Sequence, residues 1–176
     1  MIKYIKFILK QKGIFDVIVI NKIAVIRIIL AVLIVCTVAF IWSNSLETAE
    51  ESSEMSSTVV EKVKPIIDPH DKIDDDVFVK IVRKAAHFSE FALLGGEIYL
   101  FVITFKKITG KRLPSFIMPI GFAFVIAVTD ELLQLTSAGR SCQFSDMMID
   151  LAGIITGVVV VSLLFNVVRI IISKVK

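Results

Sequence analysis

The sequence predicts an all-α integral membrane protein built as a bundle of four transmembrane helices. Hydrophobic residues make up 56% of the chain, and the mean hydropathy is +0.83. Several apolar runs approach about 20 residues, the length at which an α-helix crosses a bilayer. Basic and acidic residues alternate between the segments that join these runs, which orients the bundle. No internal repeat is evident, so a single bundle is the simplest architecture.

A basic segment of 27 residues precedes the first apolar run. Lys3, Lys6 and Lys10 fall on one face of a helix beside apolar residues, a pattern typical of an interfacial anchor on an anionic inner leaflet. We therefore predict that residues 1–27 are a cytoplasmic, interfacial segment. A secretory signal peptide is the competing interpretation, but the basic region and the apolar run after it both exceed that template.

Four segments of a membrane domain over residues 28–168 are expected to cross the bilayer. Three of them, at about residues 28–46, 113–130 and 151–168, carry no formal charge except Asp130 at the end of the second of these. Span two contains Glu90 and Glu97, so hydropathy alone underrates it. The four spans are predicted at about residues 28–46, 88–105, 113–130 and 151–168.

The distribution of Lys and Arg predicts the orientation of the bundle. Basic residues concentrate before residue 28, between spans two and three, and in a short tail at 169–176. Since basic residues are retained in the cytoplasm, both termini are predicted to be cytoplasmic. The segment 43–87 instead carries ten acids and is placed outside with the loop around Arg140. Basic residues spread over three membrane edges also argue against nucleic-acid binding.

The outer segment between spans one and two divides into a polar part and a helical part. Residues 43–65 are rich in Ser and Glu, and Asp68-Pro69 is expected to break any helix. From Asp74 onward apolar residues recur at helical spacing, and the acids at the start suit the positive end of a helix dipole. We predict an amphipathic extracytoplasmic helix that continues into span two without a break.

Two polar motifs place ionisable groups within or against the apolar spans. The first runs from Arg83 to Glu90, and the second from Asp130 to Asp146. A charge in this environment is costly unless it is compensated, so such a cluster indicates a functional site. Helical phase places residues three or four positions apart on one face. The candidate ligand-binding residues are Arg83, Lys84, His87, Glu90, Asp130, Glu131, Gln134, Arg140 and Asp146.

Two further expectations concern contacts between elements. Asp130 and Glu131 lie near a helix C-terminus, where the dipole disfavours acids, so we expect Arg140 to pair with them. Gly153 and Gly157 form a GxxxG surface on span four, which predicts close helix packing.

Each candidate also has a purely structural interpretation. Lys84 could simply mark the membrane interface, His87 could be a packed helix residue, and Asp146 could cap its helix. Glu90 and Glu97 are harder to explain in this way, because a neutral residue would cost less in an apolar span.

The order of these motifs resembles that of the VanZ-like family of bacterial membrane proteins, named for a teicoplanin-resistance factor. The motifs are RKxxHFxEF, DExxQ, GR and DxxxDxxG, spread over about residues 28 to 168. The resemblance implies four transmembrane helices in the cell membrane and an envelope role linked to glycopeptide tolerance. Three positions differ from the residues usual in the family: Ala138 replaces Pro, Phe91 replaces Tyr, and Asp150 replaces Asn.

A binding protein is the first of three function classes that the sequence leaves open. Arg83, Lys84 and Arg140 could hold an anionic lipid headgroup or a lipid-linked cell-wall precursor, because cations recognise phosphate and carboxylate groups. The expected partners are membrane lipids, such a precursor or a glycopeptide, and a second copy of the chain.

The other two classes are a membrane-embedded enzyme and an assembly protein. The enzyme would act on a lipid headgroup with His87 as acid or base and Glu90 or Asp130 orienting it. No established nucleophile or metalloprotease motif is present, so its catalytic residues stay unidentified. The assembly or regulatory protein would act through helix packing at Gly153 and Gly157.

The motifs predict no metal site and no cofactor. Cys36 and Cys142 lie at different depths, which argues against a disulfide, and no Cys/His spacing typical of metal ligands occurs. A divalent cation among the carboxylates remains open within the enzyme interpretation.

Overall fold

Five α-helices and no strands make up the part of the chain that the computed structural model describes, which is residues 2–109 and 116–175, with side chains for residues 22–105 and 116–174. Four of the helices contain a segment long and apolar enough to cross a membrane, which confirms the predicted fold class. The helices are α1 (Ile2–Ser45), α2 (Ala49–Ile67), α3 (Asp75–Thr109), α4 (Ile117–Gln134) and α5 (Phe144–Val175).

Three of the spanning helices, α1, α3 and α5, are longer than their predicted apolar segments, whereas α4 has 18 residues, as many as the predicted span 113–130. The α3 helix begins at Asp75 and runs on without a break, as expected for an amphipathic segment that continues into span two. The division into residues 1–27, 28–168 and 169–176 and the cytoplasmic placement of both termini stay predictions. The side chains of the N-terminal lysines and most of the basic loop between α3 and α4 lie outside the described residues.

The α2 helix has no counterpart among the predicted elements. It begins with a capping box, in which the Thr48 hydroxyl accepts from the Glu51 amide at 3.2 Å and the Glu51 carboxylate accepts from the Thr48 amide at 2.9 Å. These reciprocal bonds satisfy amide groups that a helix start otherwise leaves unpaired. The helix ends at Ile67, directly before the Asp68-Pro69 pair that was expected to break any helix.

The α3 helix occupies the centre of the bundle and contacts each of the other helices. Its most extensive partner is α5, which packs against it backbone to backbone. A Cβ atom added at Gly153 would overlap the Phe88 carbonyl, and one added at Gly157 would overlap the Ala92 carbonyl. Both glycines are therefore required for the close approach of these two helices.

The apolar core lies where α1, α3, α4 and α5 meet, and large apolar side chains also cover much of the outer surface of the spans. An apolar exterior is what lipid contact requires, because hydrocarbon cannot solvate polar side chains. The core consists of Ile41, Phe91, Leu94, Ile98, Tyr99, Ala123, Ala127, Ile154 and Val158.

The loop between α4 and α5 lies against the turn between α1 and α2. The Ser137 hydroxyl donates to the Ser45 carbonyl at 3.0 Å, and the Ala49 amide donates to the Ala138 carbonyl at 3.0 Å. Gly139 has a φ of 74°, a left-handed conformation that glycine adopts at no steric cost. The two connections together close one end of the bundle, and the ionisable residues of the two motifs lie beneath them.

Candidate functional site

Three adjacent carboxylates are fully buried at this end of the bundle. Asp130 and Glu131 come from the last turns of α4, and Asp150 comes from the second turn of α5; all three have a relative exposure of 0%. Buried carboxylates are stable only when hydrogen bonds, protons or cations compensate the lost hydration. The partners of each group therefore decide what the site can do.

Asp130 is hydrogen-bonded through both of its oxygens. The hydroxyl of Ser45, the last residue of α1, donates to Oδ1 at 2.6 Å, and Gln134 Nε2 donates to Oδ2 at 3.4 Å. The neighbouring Glu131 accepts from the backbone amide of Gln143 at 3.0 Å through Oε2. Its Oε1 has no hydrogen-bond partner among the described residues.

Asp150 faces His87 across the α3–α5 contact. Its Oδ1 lies 3.8 Å from His87 Nδ1, too far for a hydrogen bond. Gly153 follows Asp150 by one helical turn and abuts the Phe88 carbonyl, so the missing Cβ brings Asp150 opposite the residue before Phe88. The arrangement of His87 and Asp150 is therefore a direct result of how the two helices pack.

Polar residues of α1 donate hydrogen bonds to the two acids of span two. Asn44 Nδ2 donates to Glu90 at 3.0 Å, and the Thr37 hydroxyl donates to Glu97 at 3.1 Å. These partners were not predicted, and neither was Ser45. A signal for them exists, since Thr37 lies within the apolar run and Asn44 lies two turns later at its polar end, so that the two residues share a face.

Beside the carboxylates lies a small polar cavity of about 70 Å³. Its walls come from the start of α2, from α3, from the end of α4, from the α4–α5 loop and from the first turn of α5. Five of the predicted ligand-binding residues line it, namely Arg83, His87, Gln134, Arg140 and Asp146.

The expected pairing of Arg140 with the acids at the end of α4 is wrong. Within residues 22–105 and 116–174, neither Asp130 nor Glu131 has an ion pair with Arg140 at 4 Å or less. Both acids are instead engaged by the donors described above. Arg140 Nε is buried and has no hydrogen-bond partner in the same part of the chain.

Charges of both signs act on Arg140 at the cavity wall. Burial and then the nearby charge of Arg83 lower the pKa of the Arg140 guanidinium, while Glu47, Asp130 and Glu131 act in the opposite direction. An arginine stays charged despite such a shift. The charges of Arg83 and Arg140 therefore repel each other, and Asp146 in the same cavity lining and the nearby acids offset this repulsion in part.

The remaining predicted residues form contacts outside the cavity lining or with other partners than expected. Lys84 Nζ lies 3.2 Å from Asp146 Oδ1, with its side chain 41% exposed, so this pair lies at the surface and adds little stability. Glu90 is engaged by Asn44 rather than by a cation. Gly153 and Gly157 lie against α3, as described for the fold.

Residues 29–166 match the family model described as VanZ/LLP1. The chain belongs to the VanZ/LLP1 family. No curated protein and no solved structure gives a significant match. The resemblance drawn from the motif order is thereby confirmed, and the four helices make the chain a multi-pass membrane protein.

The polar site lies entirely within the VanZ/LLP1 region. The structure brings the predicted residues together in two adjoining groups, with His87 at the border of both. One group is a buried cluster with His87, Asp130 and Asp150, and the other is the arginine-lined cavity. Asp150 was noted as a departure from the Asn that is usual in the family, and it was not among the predicted site residues of this VanZ/LLP1 protein.

Proposed function

We propose that this VanZ/LLP1 protein binds the anionic headgroup of a lipid or of a lipid-linked cell-wall precursor at the outer leaflet of the bacterial cell membrane, and that it contributes in this way to glycopeptide tolerance, including tolerance of teicoplanin. The observation that carries the proposal is the pair of arginines at the cavity. Among the described residues, neither Arg83 nor Arg140 has a carboxylate oxygen within 4 Å.

The chemistry of these arginines favours a phosphate group. Each guanidinium presents a planar set of N–H donors that fits phosphate or carboxylate oxygens in a bidentate manner. A phosphate between Arg83 and Arg140 would relieve their mutual repulsion and give Arg140 Nε the partner that the described chain does not supply. Gln134 could add neutral donors to the same ligand.

The size of the cavity limits what it can recognise. Its volume of about 70 Å³ is far below the range of roughly 300–1,000 Å³ that is usual for pockets enclosing a drug-sized ligand. The cavity therefore suits one phosphate group of a larger headgroup. A whole glycopeptide would not fit, so we infer that the protein acts on the membrane component and not on the antibiotic.

The position of the cavity agrees with a headgroup ligand. It lies at the ends of the spanning helices, under the α4–α5 loop, which is the depth at which the interfacial region of a bilayer begins. The predicted orientation places this end outside the cytoplasm.

Binding can be tested on the purified protein with nanodiscs or vesicles of phosphatidylglycerol, using phosphatidylcholine as the neutral reference. We expect Arg83→Gln and Arg140→Gln each to weaken the preference for phosphatidylglycerol by about tenfold or more, since a charge-assisted bond contributes about 1.5–3 kcal/mol. Lys80→Gln is the matched control, because it removes one positive charge from an exposed position on α3 outside the cavity. It should change the preference less than twofold.

Two results would contradict the proposal. An equal loss in Lys80→Gln would show that only general surface charge attracts the lipid, and unchanged binding in Arg140→Gln would remove the arginine pair from the site. The link to tolerance is tested in cells by comparing teicoplanin inhibition for the wild type and Arg140→Gln at equal protein levels in the membrane.

An enzyme acting on the same headgroup is the second candidate. It is favoured by His87, which lines the cavity and also faces the buried Asp150. A titratable group within reach of a bound ligand is the arrangement that general acid or base catalysis needs. Release of a phosphorylated headgroup by the wild type, and its loss in His87→Gln with lipid binding retained, would favour the enzyme over the binding protein.

A further inference from the structure

Three helices each contribute one side chain with a possible metal-ligand atom to a cluster beside the cavity. His87 of α3, Asp130 of α4 and Asp150 of α5 present an imidazole nitrogen and two carboxylate oxygens that all lie within 4.8 Å of one another. Asp130 and Asp150 are fully buried, and the His87 side chain is 18% exposed. The cluster is therefore enclosed by the bundle.

The cluster is not satisfied by hydrogen bonds. Both oxygens of Asp150 and His87 Nδ1 are buried and have no hydrogen-bond partner in the part of the chain that the structure describes. Their separation of 3.8 Å prevents them from satisfying each other. A fully buried carboxylate with two unpaired oxygens is costly, so a missing partner is indicated at this point.

A divalent cation would supply that partner. Its charge would balance the two aspartates, and one bond to each residue would engage Asp150 and His87 Nδ1 together. Metal ligands of this kind lie about 2.0–2.2 Å from the ion, so each atom would have to move inward by less than about 1 Å. Ser45 and Gln134 already hold the Asp130 carboxylate, as supporting residues do around metal ligands.

We propose that His87, Asp130 and Asp150 form a binding site for a divalent transition-metal ion, of the class of Zn²⁺ or Mn²⁺. One imidazole and two carboxylates favour these ions over Mg²⁺ and Ca²⁺, which prefer oxygen ligands alone. Three protein ligands leave a coordination position open for water or another ligand. The site stands independently of headgroup binding, although His87 borders the cavity as well.

The test uses the purified full-length protein in detergent without added lipid. The protein is stripped with EDTA, equilibrated separately with Zn²⁺ or Mn²⁺, desalted and analysed for bound metal by mass spectrometry. We expect about one equivalent of one of these ions in the wild type, and a loss of affinity of at least about tenfold in Asp150→Asn, Asp130→Asn and His87→Gln, since each removes a direct ligand.

The Asp150→Asn variant is the most informative of the three. It preserves the shape of the side chain and introduces the residue that is usual at this position in the family, so the bundle should still form. Circular dichroism and size-exclusion chromatography establish that it is folded. Glu97→Gln is the matched control, because it also removes a buried carboxylate with an unpaired oxygen but lies two turns or more away from His87 on α3. It should bind metal as the wild type does.

The outcomes separate this proposal from its alternatives. Wild-type protein that retains no more of either ion than Asp150→Asn would overturn the site, and would leave a shared proton or a His–Asp ion pair to compensate Asp150. Equal metal loss in Glu97→Gln would also overturn it. Arg140→Gln should keep the metal while it loses anionic lipid, so a failure of headgroup binding and a failure of the metal site produce different results.

Discussion

At the scale of single residues, Asp130 is a buried acid that is compensated by a neutral hydrogen-bond donor. Its strongest contact is the 2.6 Å hydrogen bond from Ser45, a residue 85 positions earlier in the chain. Arg140 is only ten positions away but forms no ion pair with it among the described residues. The hydroxyl compensates the carboxylate without a second charge having to be buried, and this leaves the arginine available to the cavity.

Double-mutant cycles on Asp130 should distinguish these two relationships. We expect Ser45→Ala and Asp130→Asn to be coupled by about 1 kcal/mol or more, since they remove two partners of one buried hydrogen bond. Arg140→Gln and Asp130→Asn should be additive to within about 0.5 kcal/mol, because no direct contact links them. Reversible unfolding in mixed micelles measures both cycles. A coupling above about 1 kcal/mol for the arginine cycle would restore the ion pair that the sequence suggested.

The location of the site could be predicted from the sequence, but its internal pairing could not. Helical spacing and apolar surroundings identified Arg83, His87 and Asp130, and the short loop after span three identified Arg140, because these properties are local. Several partners of the acids come from α1, where the polar residues indicate a polar face, but the sequence does not say which acid each of them contacts. The same reason accounts for Asp150, whose position opposite His87 depends on how closely α5 approaches α3.

At the scale of elements, the contact between α3 and α5 depends on residues without side chains. A Cβ at Gly157 would overlap the Ala92 carbonyl, which is rigid helix backbone and cannot turn away. Gly121 on α4 differs, because a Cβ there would have no atom within 4 Å apart from its chain neighbours and the backbone of its own helix.

Alanine substitutions at these two glycines should have opposite effects. Gly157→Ala should destabilise the bundle by about 1–3 kcal/mol, as overpacking generally does. Gly121→Ala should be neutral or stabilising by up to about 1 kcal/mol, because alanine favours the helix and meets no obstacle. Unfolding in mixed micelles measures the two variants side by side. Equal stability of both would mean that α5 can shift relative to α3 at little cost.

Prediction was also uneven among the helices. The α3 helix was expected to continue into span two, because its acidic start and its apolar period extend over many residues. The α2 helix was not predicted because its segment is polar and is followed by Asp68-Pro69. Its start is nevertheless marked by the Thr48-x-x-Glu51 capping box, which is a local helix-start pattern.

At the scale of the whole molecule, the α1–α2 turn and the α4–α5 loop lie at one end of the bundle. The α2 helix is not among the helices long and apolar enough to cross a membrane, so we expect the α2–α3 turn with Lys72 to face the same side as the α4–α5 loop with Ser137. The charge distribution predicts that this side lies outside the cell. The proposed function requires this orientation, since cell-wall precursors are exposed at the outer leaflet.

Cysteine labelling of intact cells tests the orientation. In a background in which Cys36 and Cys142 are replaced by Ser, we expect a membrane-impermeant maleimide to label Lys72→Cys and Ser137→Cys. Lys111→Cys, in the basic loop outside the described residues, should be labelled only after the cells are opened. Labelling of Lys111→Cys alone in intact cells would place the cavity in the cytoplasm.

The hydrogen bonds from α1 to the acids of α3 bear on how the chain reaches the bilayer during synthesis. The α1 helix leaves the ribosome first and so is already in the membrane when Glu90 and Glu97 arrive at the translocon. Lateral release of a span with two carboxylates is unfavourable, and Asn44 and Thr37 offer those groups a partner within hydrocarbon. We therefore expect the first span to act as an intramolecular chaperone for the second, which gives its few polar side chains a role in biogenesis as well as in the finished bundle.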